Sequence, residues 1–480
     1  MEGKPQVERW DVFELQLEGP SEGNPFCDVQ LAAVFALEHR ELRIDGFYDG
    51  EGRFLVRFMP DEIGAWRYVT ESNCDDLDGV QGGFECVAPG EGNHGPVSVR
   101  DGYHFRHADG WPHYSVGTTC YAWAHQRQAL RLETLRTLSE APFNKLRMCV
   151  FPKWYPYNQR EPELHAFEPD GEGGWDYARL HPAYFQGLDA CIEALMGLGI
   201  EADLILFHPY DKWGYAEMGA ETDAFFLRYV VARFAAYRNV WWSMANEFDL
   251  MKKSMTDWDR IGRLVHQLDP YGHPRSIHNC RGFYDHAKAW VTHASVQHSD
   301  LERVGEWRHT YGKPVVVDEC RYEGDIPRRW GNISARELTH RFWEAFARGG
   351  YAGHGETYLK PSGDLWWSHG GVLHGDSPAR IAFLREVMEQ GEGGGWEPVD
   401  GIVPHGYACV AKSEGQYLVY MGLAQPSELD LHLSEDKSWT IELLNPWEMA
   451  GKTLHCELSG KQTVKLPGRP YLALRIVAQD

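Results

Sequence analysis

One stretch of the sequence decides the fold: Val240-Trp241-Trp242-Ser243-Met244-Ala245-Asn246-Glu247, an apolar run that ends in an acid. A second run, Pro314-Val315-Val316-Val317-Asp318-Glu319, ends in the same way. Strands buried on both faces read as continuous apolar runs, and a (β/α)8 barrel keeps its active site at the carboxyl ends of its strands. Two carboxylates on one rim favour glycoside hydrolysis, which needs a proton donor and a nucleophile or base.

The middle of the chain extends this pattern. Between about residues 104 and 390, apolar runs of strand length alternate with segments of helical period, which is typical of a parallel sheet with crossover helices. The predicted strands are 114–118, 145–151, 202–207, 240–244, 274–277, 291–297, 315–318 and 350–355. The predicted helices include 182–198, 223–237, 256–268 and 335–348. Eight strands in this order predict a TIM barrel.

Both ends of the chain have a different rhythm. Short alternating runs such as Phe54-Leu55-Val56-Arg57-Phe58 and Tyr417-Leu418-Val419-Tyr420 are separated by Gly and Asp turn signals, which predicts β-sandwiches. The Gly-rich stretch 391–395 marks the second boundary. We therefore expect a multidomain α/β protein, with a β-sandwich over 1–100, the barrel over 101–393 and a second β-sandwich over 394–480.

Composition and charge narrow the class of partner. A chain of 480 residues has room for two or three domains. The formal net charge of −23 argues against nucleic acid or an anionic membrane, because both attract Lys and Arg. The 19 tryptophans supply flat apolar faces that suit sugar rings, although they also suit cores.

The amino-terminal segment is compatible with a cytoplasmic chain or with one trimmed of its signal, and the cysteines favour the cytoplasm. The first ten residues contain no apolar segment of the secretory type, and the sequence has no uninterrupted apolar stretch of about 18 residues. The ten cysteines form no close CxxC pair, and several lie inside apolar segments, where a free Cys acts as a small hydrophobe.

The rim residues resemble those of the clan A glycoside hydrolases, especially the cellulase-like and apiosidase-like barrels. The matching positions are Asn246-Glu247 after the fourth strand, Glu319 after the seventh, and Asn144-Lys145-Leu146-Arg147 on the second. The domain order is similar to a bacterial subgroup with an immunoglobulin-like amino-terminal domain and a small carboxyl-terminal β-domain.

The resemblance implies a role for each matched residue. Glu247 would be the general acid/base and Glu319 the nucleophile of a retaining double displacement. Arg147 would hold Glu319 ionised through a charge-assisted hydrogen bond, and Asn246 would bind the 2-hydroxyl of the sugar. From the residues alone the stereochemistry stays open, since carboxyl groups about 5–5.5 Å apart retain configuration and groups about 6.5–9.5 Å apart invert it.

Further rim residues are predicted to contact substrate. His208 after the third strand and His298 after the sixth match positions that carry substrate-binding histidines in this clan, and Trp366-Trp367 resembles an aromatic platform under the reacting sugar. Glu356, near the end of the eighth strand, is a third acid, for which contact with substrate or simple solvation is expected.

One departure from the family pattern leaves a residue unassigned. The His-x-Tyr of the sixth strand reads His298-Ser299-Asp300 here, so the Tyr that bonds the nucleophile is missing, with Tyr322 and Tyr358 as substitutes. Asp318 precedes Glu319 and points to the opposite face of its strand, which indicates a structural role.

Two other functions compete with this hypothesis. A metal-dependent barrel hydrolase of the amidohydrolase kind would use His278 and His298 as ligands, but it needs a His-x-His pair after the first strand, and residues 118–123 contain none. A non-catalytic carbohydrate-binding protein is the third reading. The glycosidase hypothesis implies a carbohydrate substrate and no cofactor, and leaves a homo-oligomer open.

Overall fold

The computed structural model describes residues 5–391 and 394–479. At its centre, eight parallel strands form one sheet: β1 (Gly117–Thr119), β2 (Lys145–Cys149), β3 (Glu201–Phe207), β4 (Val240–Ala245), β5 (Arg275–Ser276), β6 (Ala294–Gln297), β7 (Val315–Glu319) and β8 (Tyr351–His354). Their ladder order is β5-β4-β3-β2-β1-β8-β7-β6, and a parallel bridge between His278 and Ser295 joins the two edges. The predicted TIM barrel, with all eight strands in order, is confirmed.

Helices surround the strands in the expected alternation. They are α1 (Gln128–Glu140), α2 (Pro182–Gly197), α3 (Ala220–Phe234), α4 (Met255–Leu268), α5 (Val304–Tyr311), α6 (Ala335–Ala347), α7 (Trp366–His369) and α8 (Ser377–Glu389). Helix α4 begins with a reciprocal capping box, in which Ser254 and Asp257 each accept a backbone N–H of the other. The fully described connection 277–293 between β5 and β6 contains no helix.

The loops of the barrel contain short 3-10 turns and two small sheets. The 3-10 turns are Trp123–His125, Tyr215–Glu217, Phe248–Leu250, Leu301–Arg303 and Arg329–Gly331. Two small sheets, Phe167–Pro169 with Trp175–Leu180 and Glu323–Gly324 with Glu356–Thr357, lie in the loops after β2, β7 and β8. These loops follow the carboxyl ends of the strands, where they build the walls of the site.

Two sheets face each other in the amino-terminal region. One contains, in ladder order, Gln6–Glu8, Gln81–Val87, Gly64–Ser72, Leu31–Leu37 and Arg40–Asp45, and the other contains Phe13–Glu18, Arg53–Phe58 and Phe47–Tyr48. Inward-facing side chains such as Phe13, Phe35, Phe58 and Phe84 form their shared core. The helical turn Pro25–Asp28 lies between the strands. The region is the predicted β-sandwich, while its immunoglobulin-like type stays a prediction.

The carboxyl-terminal region is also sheet-rich. Its six-stranded sheet contains, in ladder order, Glu397–Pro398, Ala408–Ala411, Gln416–Tyr420, Ala473–Gln479, Ser438–Asn445 and Ala450–Leu458. A two-stranded sheet pairs Glu428–His432 with Lys461–Lys465, and a 3-10 turn covers Ser413–Gly415. Trp439, Leu431 and Leu474 belong to the core of this region. The domain limits at 100/101 and 393/394 stay predictions, and residues 1–4, 392, 393 and 480 lie outside the described residues.

A three-stranded antiparallel sheet closes the amino-terminal end of the barrel. It consists of Val97–Arg100, His104–His107 and Pro112–His113. The Phe105 ring lies 4.8 Å from the Trp241 ring of β4 and 5.8 Å from the Tyr351 ring of β8, measured between centroids. We call this element the bottom sheet.

No helix within the described ranges is both long enough and apolar enough to cross a bilayer.

Candidate active site

Glu247 lies directly beyond the carboxyl end of β4, and its side chain is buried. Its backbone φ of +53° is in the left-handed region, which costs a non-glycine residue free energy and occurs mostly at functional sites. The Tyr210 hydroxyl donates to Oε2 of Glu247. The Gln297 amide, oriented to satisfy its neighbours, donates to Oε1 at 3.1 Å.

Glu319 is the last residue of β7 and is partly exposed to a cavity. The Tyr121 hydroxyl donates to its Oε1 and lies 3.0 Å from Oδ1 of Asn246. Burial and the charge of Glu247 raise the pKa of Glu319 to about 7, against the lowering effects of the Tyr121 hydrogen bond and the Lys153 charge.

Both glutamates line one cavity of about 630 Å³ at the carboxyl ends of the strands. Four other predicted residues line the same cavity: Asn246, His298, Tyr322 and Trp367. Gln297, which precedes His298, lines it as well. Further aromatic walls come from residues that the sequence did not single out: Tyr121, Tyr155, Tyr157, Tyr210 and Trp330. Paired acids in an aromatic cavity are what the hydrolysis of a glycosidic bond requires.

Lys153 lies in this cavity within a cage of aromatic rings. Its ammonium nitrogen is 3.6 Å from the Tyr121 ring centre, 4.4 Å from that of Tyr210 and 4.7 Å from that of Tyr155. Burial lowers the pKa of Lys153, although the charges of Glu247 and Glu319 act in the opposite direction. The ring faces stabilise the cation, and its charge favours the ionised form of Glu319.

Arg147 does not reach Glu319 as predicted. Its guanidinium binds acids below the cavity: Nη1 donates to Asp203 and Asp318, both at 3.1 Å, and Nη2 lies 3.4 Å from Oδ1 of Asn246. It influences Glu319 through charge, not through a hydrogen bond. The physical reason is burial. Asp203 and Asp318 lie inside the barrel within hydrogen-bond distance of Arg147, and a buried carboxylate depends more on a paired cation than Glu319, which is open to the cavity.

Asp318 occupies the barrel interior, in agreement with a structural role. Lys145 donates to its Oδ1 at 2.8 Å, and Ser295 donates to its Oδ2 at 2.5 Å. Burial alone would raise the pKa of Asp318, but the charges of Lys145 and Arg147 hold it well below its ordinary value. The acid is therefore ionised and fixed.

Three predicted substrate contacts lie outside the cavity lining. Burial lowers the pKa of His208 to about 3, and its Nε2 donates to the Phe151 carbonyl at 3.2 Å. Glu356 accepts backbone N–H groups of His374 and Gly375, both at 2.7 Å. Trp366 donates its indole N–H to Thr118 at 2.9 Å, inside the barrel. All three side chains therefore form hydrogen bonds with the local backbone or with a polar group of the core.

The Tyr substitutes are also placed differently from the expectation. Tyr358 donates to Glu323 at 3.2 Å, and the Tyr322 hydroxyl is buried without a hydrogen-bond partner among the described residues. Tyr121, which follows β1, bonds Glu319 instead. The sequence contained only a weak signal for the two tyrosines that contact the acids. Tyr121 follows a strand end, as does Tyr210 in His208-Pro209-Tyr210.

A second cavity, of about 770 Å³, lies between the amino-terminal sheets and α3. It is larger than the cavity at the rim, but it lies away from the carboxyl ends of the strands and from the paired carboxylates. We therefore take the smaller cavity as the candidate active site. The metal-barrel hypothesis gains no support from the geometry. Among the described side chains, His278 and His298 do not join a group of three ligands, and the one such group is remote from the rim.

Comparisons with known proteins agree with this geometry. The sequence profile of the family described as "Apiosidase-like, catalytic domain" matches residues 99–366. Two domains of unknown function, DUF5060 and DUF5605, match residues 6–73 and 406–477. A comparison with curated proteins gave no match.

Solved structures give the same class. A Bacteroides vulgatus ATCC 8482 protein, provisionally described as a glycoside hydrolase, is 37% identical, with a TM-score of 0.93 over 99% of this chain and 100% of its own. A family 5 glycoside hydrolase from the same organism has 13% identity and a TM-score of 0.63, over 80% of this chain and 94% of its own, which shows the fold alone.

The fold, the cavity and these comparisons define a glycoside hydrolase on a (β/α)8 barrel, with a carbohydrate as its substrate. More narrowly, the chain belongs to the apiosidase-like family.

Proposed function

We propose that the protein cleaves an O-glycosidic bond of an oligosaccharide or glycoside with retention of configuration, with Glu319 as nucleophile and Glu247 as acid/base. The observation that carries this proposal is that the two carboxylates share one cavity while each receives a different tyrosine hydroxyl. Tyr121 follows β1 and Tyr210 follows β3, so separate elements fix the two acids independently. Such fixed carboxyl groups suit two distinct roles in one reaction.

The reaction proceeds in two displacements. In the first, a Glu319 oxygen bonds to the anomeric carbon while the bond to the leaving oxygen breaks and Glu247 gives that oxygen its proton. In the second, Glu247 takes a proton from water, the water oxygen bonds to the anomeric carbon, and the Glu319 carboxylate leaves. No cofactor takes part, and the proton on Glu247 is restored at the end of the cycle.

The division of roles rests on the charges around Glu319. Lys153 and Arg147 both favour its ionised form, and the Tyr121 hydroxyl stabilises the carboxylate directly. Burial and the charge of Glu247 act in the opposite direction and raise the pKa of Glu319 to about 7. We assign the attack on the anomeric carbon to Glu319, which these cations and the Tyr121 hydroxyl support as a carboxylate, and the proton transfer to Glu247, which lines the same cavity.

The substrate would lie against the aromatic wall. Trp330 and Trp367 lie with ring centres 4.9 Å apart at the edge of the cavity, and flat ring faces suit the apolar faces of sugars. Oδ1 of Asn246 contacts Arg147 and Tyr121, which leaves its amide nitrogen free to donate to the sugar 2-hydroxyl.

Azide rescue in two variants tests these assignments. Wild type is first screened against aryl α- and β-glycosides of hexoses, pentoses and deoxysugars to find the glycone. Glu319→Gly should be inactive and should form, with azide, a glycosyl azide of inverted configuration. Glu247→Ala should lose about 10²- to 10⁴-fold in kcat with poor leaving groups and far less with activated aryl glycosides, and azide should give a product of retained configuration.

The two products distinguish the roles, because azide replaces the nucleophile in one variant and the second-step water in the other. Azides of one configuration from both variants, or full activity of Glu319→Gln, would contradict the proposal.

A further inference from the structure

Three metal-ligating side chains meet at the end of the barrel opposite the active site. His107 and His113 belong to the bottom sheet, and Glu201 is the first residue of β3. One potential ligand atom from each lies within 4.8 Å of the other two. The three residues border a cavity of about 230 Å³.

The carboxylate of this cluster has no ion-pair partner among the described residues. Glu201 is buried, and its Oε2 accepts the indole N–H of Trp241 at 2.8 Å. Arg238 borders the same cavity and acts on Glu201 through its charge, but its guanidinium pairs with Asp11 at 3.3 Å. Burial of an ionised carboxylate without a partner is costly, so the site requires either a proton or a bound cation.

The histidines have free nitrogen atoms beside this carboxylate. Nδ1 of His107 is 2.9 Å from the Gly95 carbonyl, so it carries the proton and Nε2 keeps its lone pair. Nε2 of the buried His113 has no hydrogen-bond partner in the described part of the chain. Orientation of a ligating imidazole by a backbone carbonyl, and of a carboxylate by an indole, is the usual outer shell of a metal site.

We propose that His107, His113 and Glu201 bind one divalent transition-metal ion of the Zn²⁺ type. Two imidazoles and one carboxylate are ligands that Zn²⁺ accepts, and water from the adjoining cavity can complete a tetrahedral set. Bonds of about 2.0–2.2 Å place ligand atoms roughly 3.4 Å apart, a separation compatible with atoms that lie within 4.8 Å of one another here.

The ion would act as a structural clamp. It joins the bottom sheet to β3, two segments that are distant in sequence. Glu201 and Phe207 are the two ends of β3, and a strand of this length spans about 20 Å, so the ion has no contact with Glu247 or Glu319. The inference is independent of the proposed glycosidase mechanism.

Metal analysis of the full-length, tag-free protein tests the site. The protein is dialysed against EDTA and then titrated with Zn²⁺ or with Co²⁺, whose visible absorption reports tetrahedral coordination. We expect one tightly bound ion per chain, a lower unfolding temperature after EDTA, and recovery of that temperature on reloading. Metal content near zero after reloading would overturn the proposal.

Matched variants identify the ligands. Glu201→Gln preserves the shape of the side chain and an acceptor for Trp241, so it should fold and yet lose at least about 100-fold in Zn²⁺ affinity, since even outer-shell changes cost about 10- to 100-fold. His94→Gln is the control, because His94 borders the same cavity but is 2.7 Å from Asp109, and it should bind like wild type. Equal binding by Glu201→Gln would show that the metal binds elsewhere and would reject the site.

Discussion

At the residue scale, the support of Glu319 comes from Tyr121 and not from the predicted Arg147. A tyrosine hydroxyl that donates to a carboxylate favours its ionised form, and this bond lowers the pKa of Glu319. Arg147 is committed to Asp203 and Asp318. The local chemistry of the proposed nucleophile therefore depends on a residue after β1.

Tyr121→Phe should lower kcat/KM by about 10- to 100-fold, since a hydrogen bond to a charged group contributes about 1.5–3 kcal/mol. Loss of the donor raises the pKa of Glu319, so the acidic limb of the pH profile of kcat/KM should move to higher pH. The measurement is a pH–rate profile of both proteins on one aryl glycoside.

Tyr322→Phe is the matched control. The Tyr322 hydroxyl borders the same cavity but has no partner among the described residues. Its removal should leave the acidic limb in place. A shift of equal size in both variants would mean that cavity polarity, and not the Tyr121 bond, sets the titration.

At the element scale, strands β2, β3 and β7 share a charged core. Lys145 and Arg147 of β2 face Asp203 of β3 and Asp318 of β7. Alternate residues of a strand point to one side, so Lys145 and Arg147 enter the interior together. The network fixes the strand ends that carry the site.

Asp318→Asn should lower the free energy of unfolding by about 3–5 kcal/mol, because it leaves two buried cations, Lys145 and Arg147, with Asp203 as their one remaining carboxylate in this network. The ionised Asp318 stabilises the fold above its ordinary pKa of 3.8, and this stabilisation is lost as the pH falls below that value. The variant should therefore show a flatter stability profile between about pH 5 and pH 2 in urea unfolding.

The exposed Asp75→Asn, in a turn of the amino-terminal region, is the control and should change stability by less than about 0.5 kcal/mol. An Asp318→Asn protein as stable as wild type at pH 7 would show that the network gives no net stabilisation.

At the scale of the whole molecule, a buried ion network attaches the amino-terminal sheets to the barrel. Arg57 donates to Asp189 of α2 at 2.7 Å, Arg233 of α3 donates to Asp189 at 2.5 Å, and Arg233 also donates to Asp49 at 2.7 Å. All four side chains are buried. The two regions are therefore expected to unfold together.

Asp189→Asn should break this coupling. The loss of the shared carboxylate leaves two buried guanidinium groups with fewer partners, at a cost of about 3–5 kcal/mol. We expect a lower unfolding temperature and faster hydrogen exchange in the strand Arg53–Phe58 than in β7. Asp45→Asn, which removes an exposed pair with Arg43, should change neither. Equal exchange in the strand Arg53–Phe58 and in β7 of the Asp189→Asn protein would show that the carboxylate does not couple the two regions.

The sequence by itself determined the barrel and the positions of both acids. Its strands are buried on both faces, so each reads as a continuous apolar run, and the polar residues that end a run lie near the rim. Asn246, Glu247, His298 and Glu319 follow from this pattern, while strand alternation assigns Asp318 to the opposite face from Glu319.

The tertiary structure alone decided the partners of those residues. The Tyr121–Glu319 bond joins residues 198 positions apart, and the choice of Arg147 between Glu319 and Asp318 depends on distances inside the barrel. The partners of His208, Glu356 and Trp366 were likewise decided by tertiary structure, because their polar atoms form hydrogen bonds with backbone or core groups. Local periodicity encodes which face a side chain lies on, whereas a hydrogen-bond partner depends on where distant segments meet.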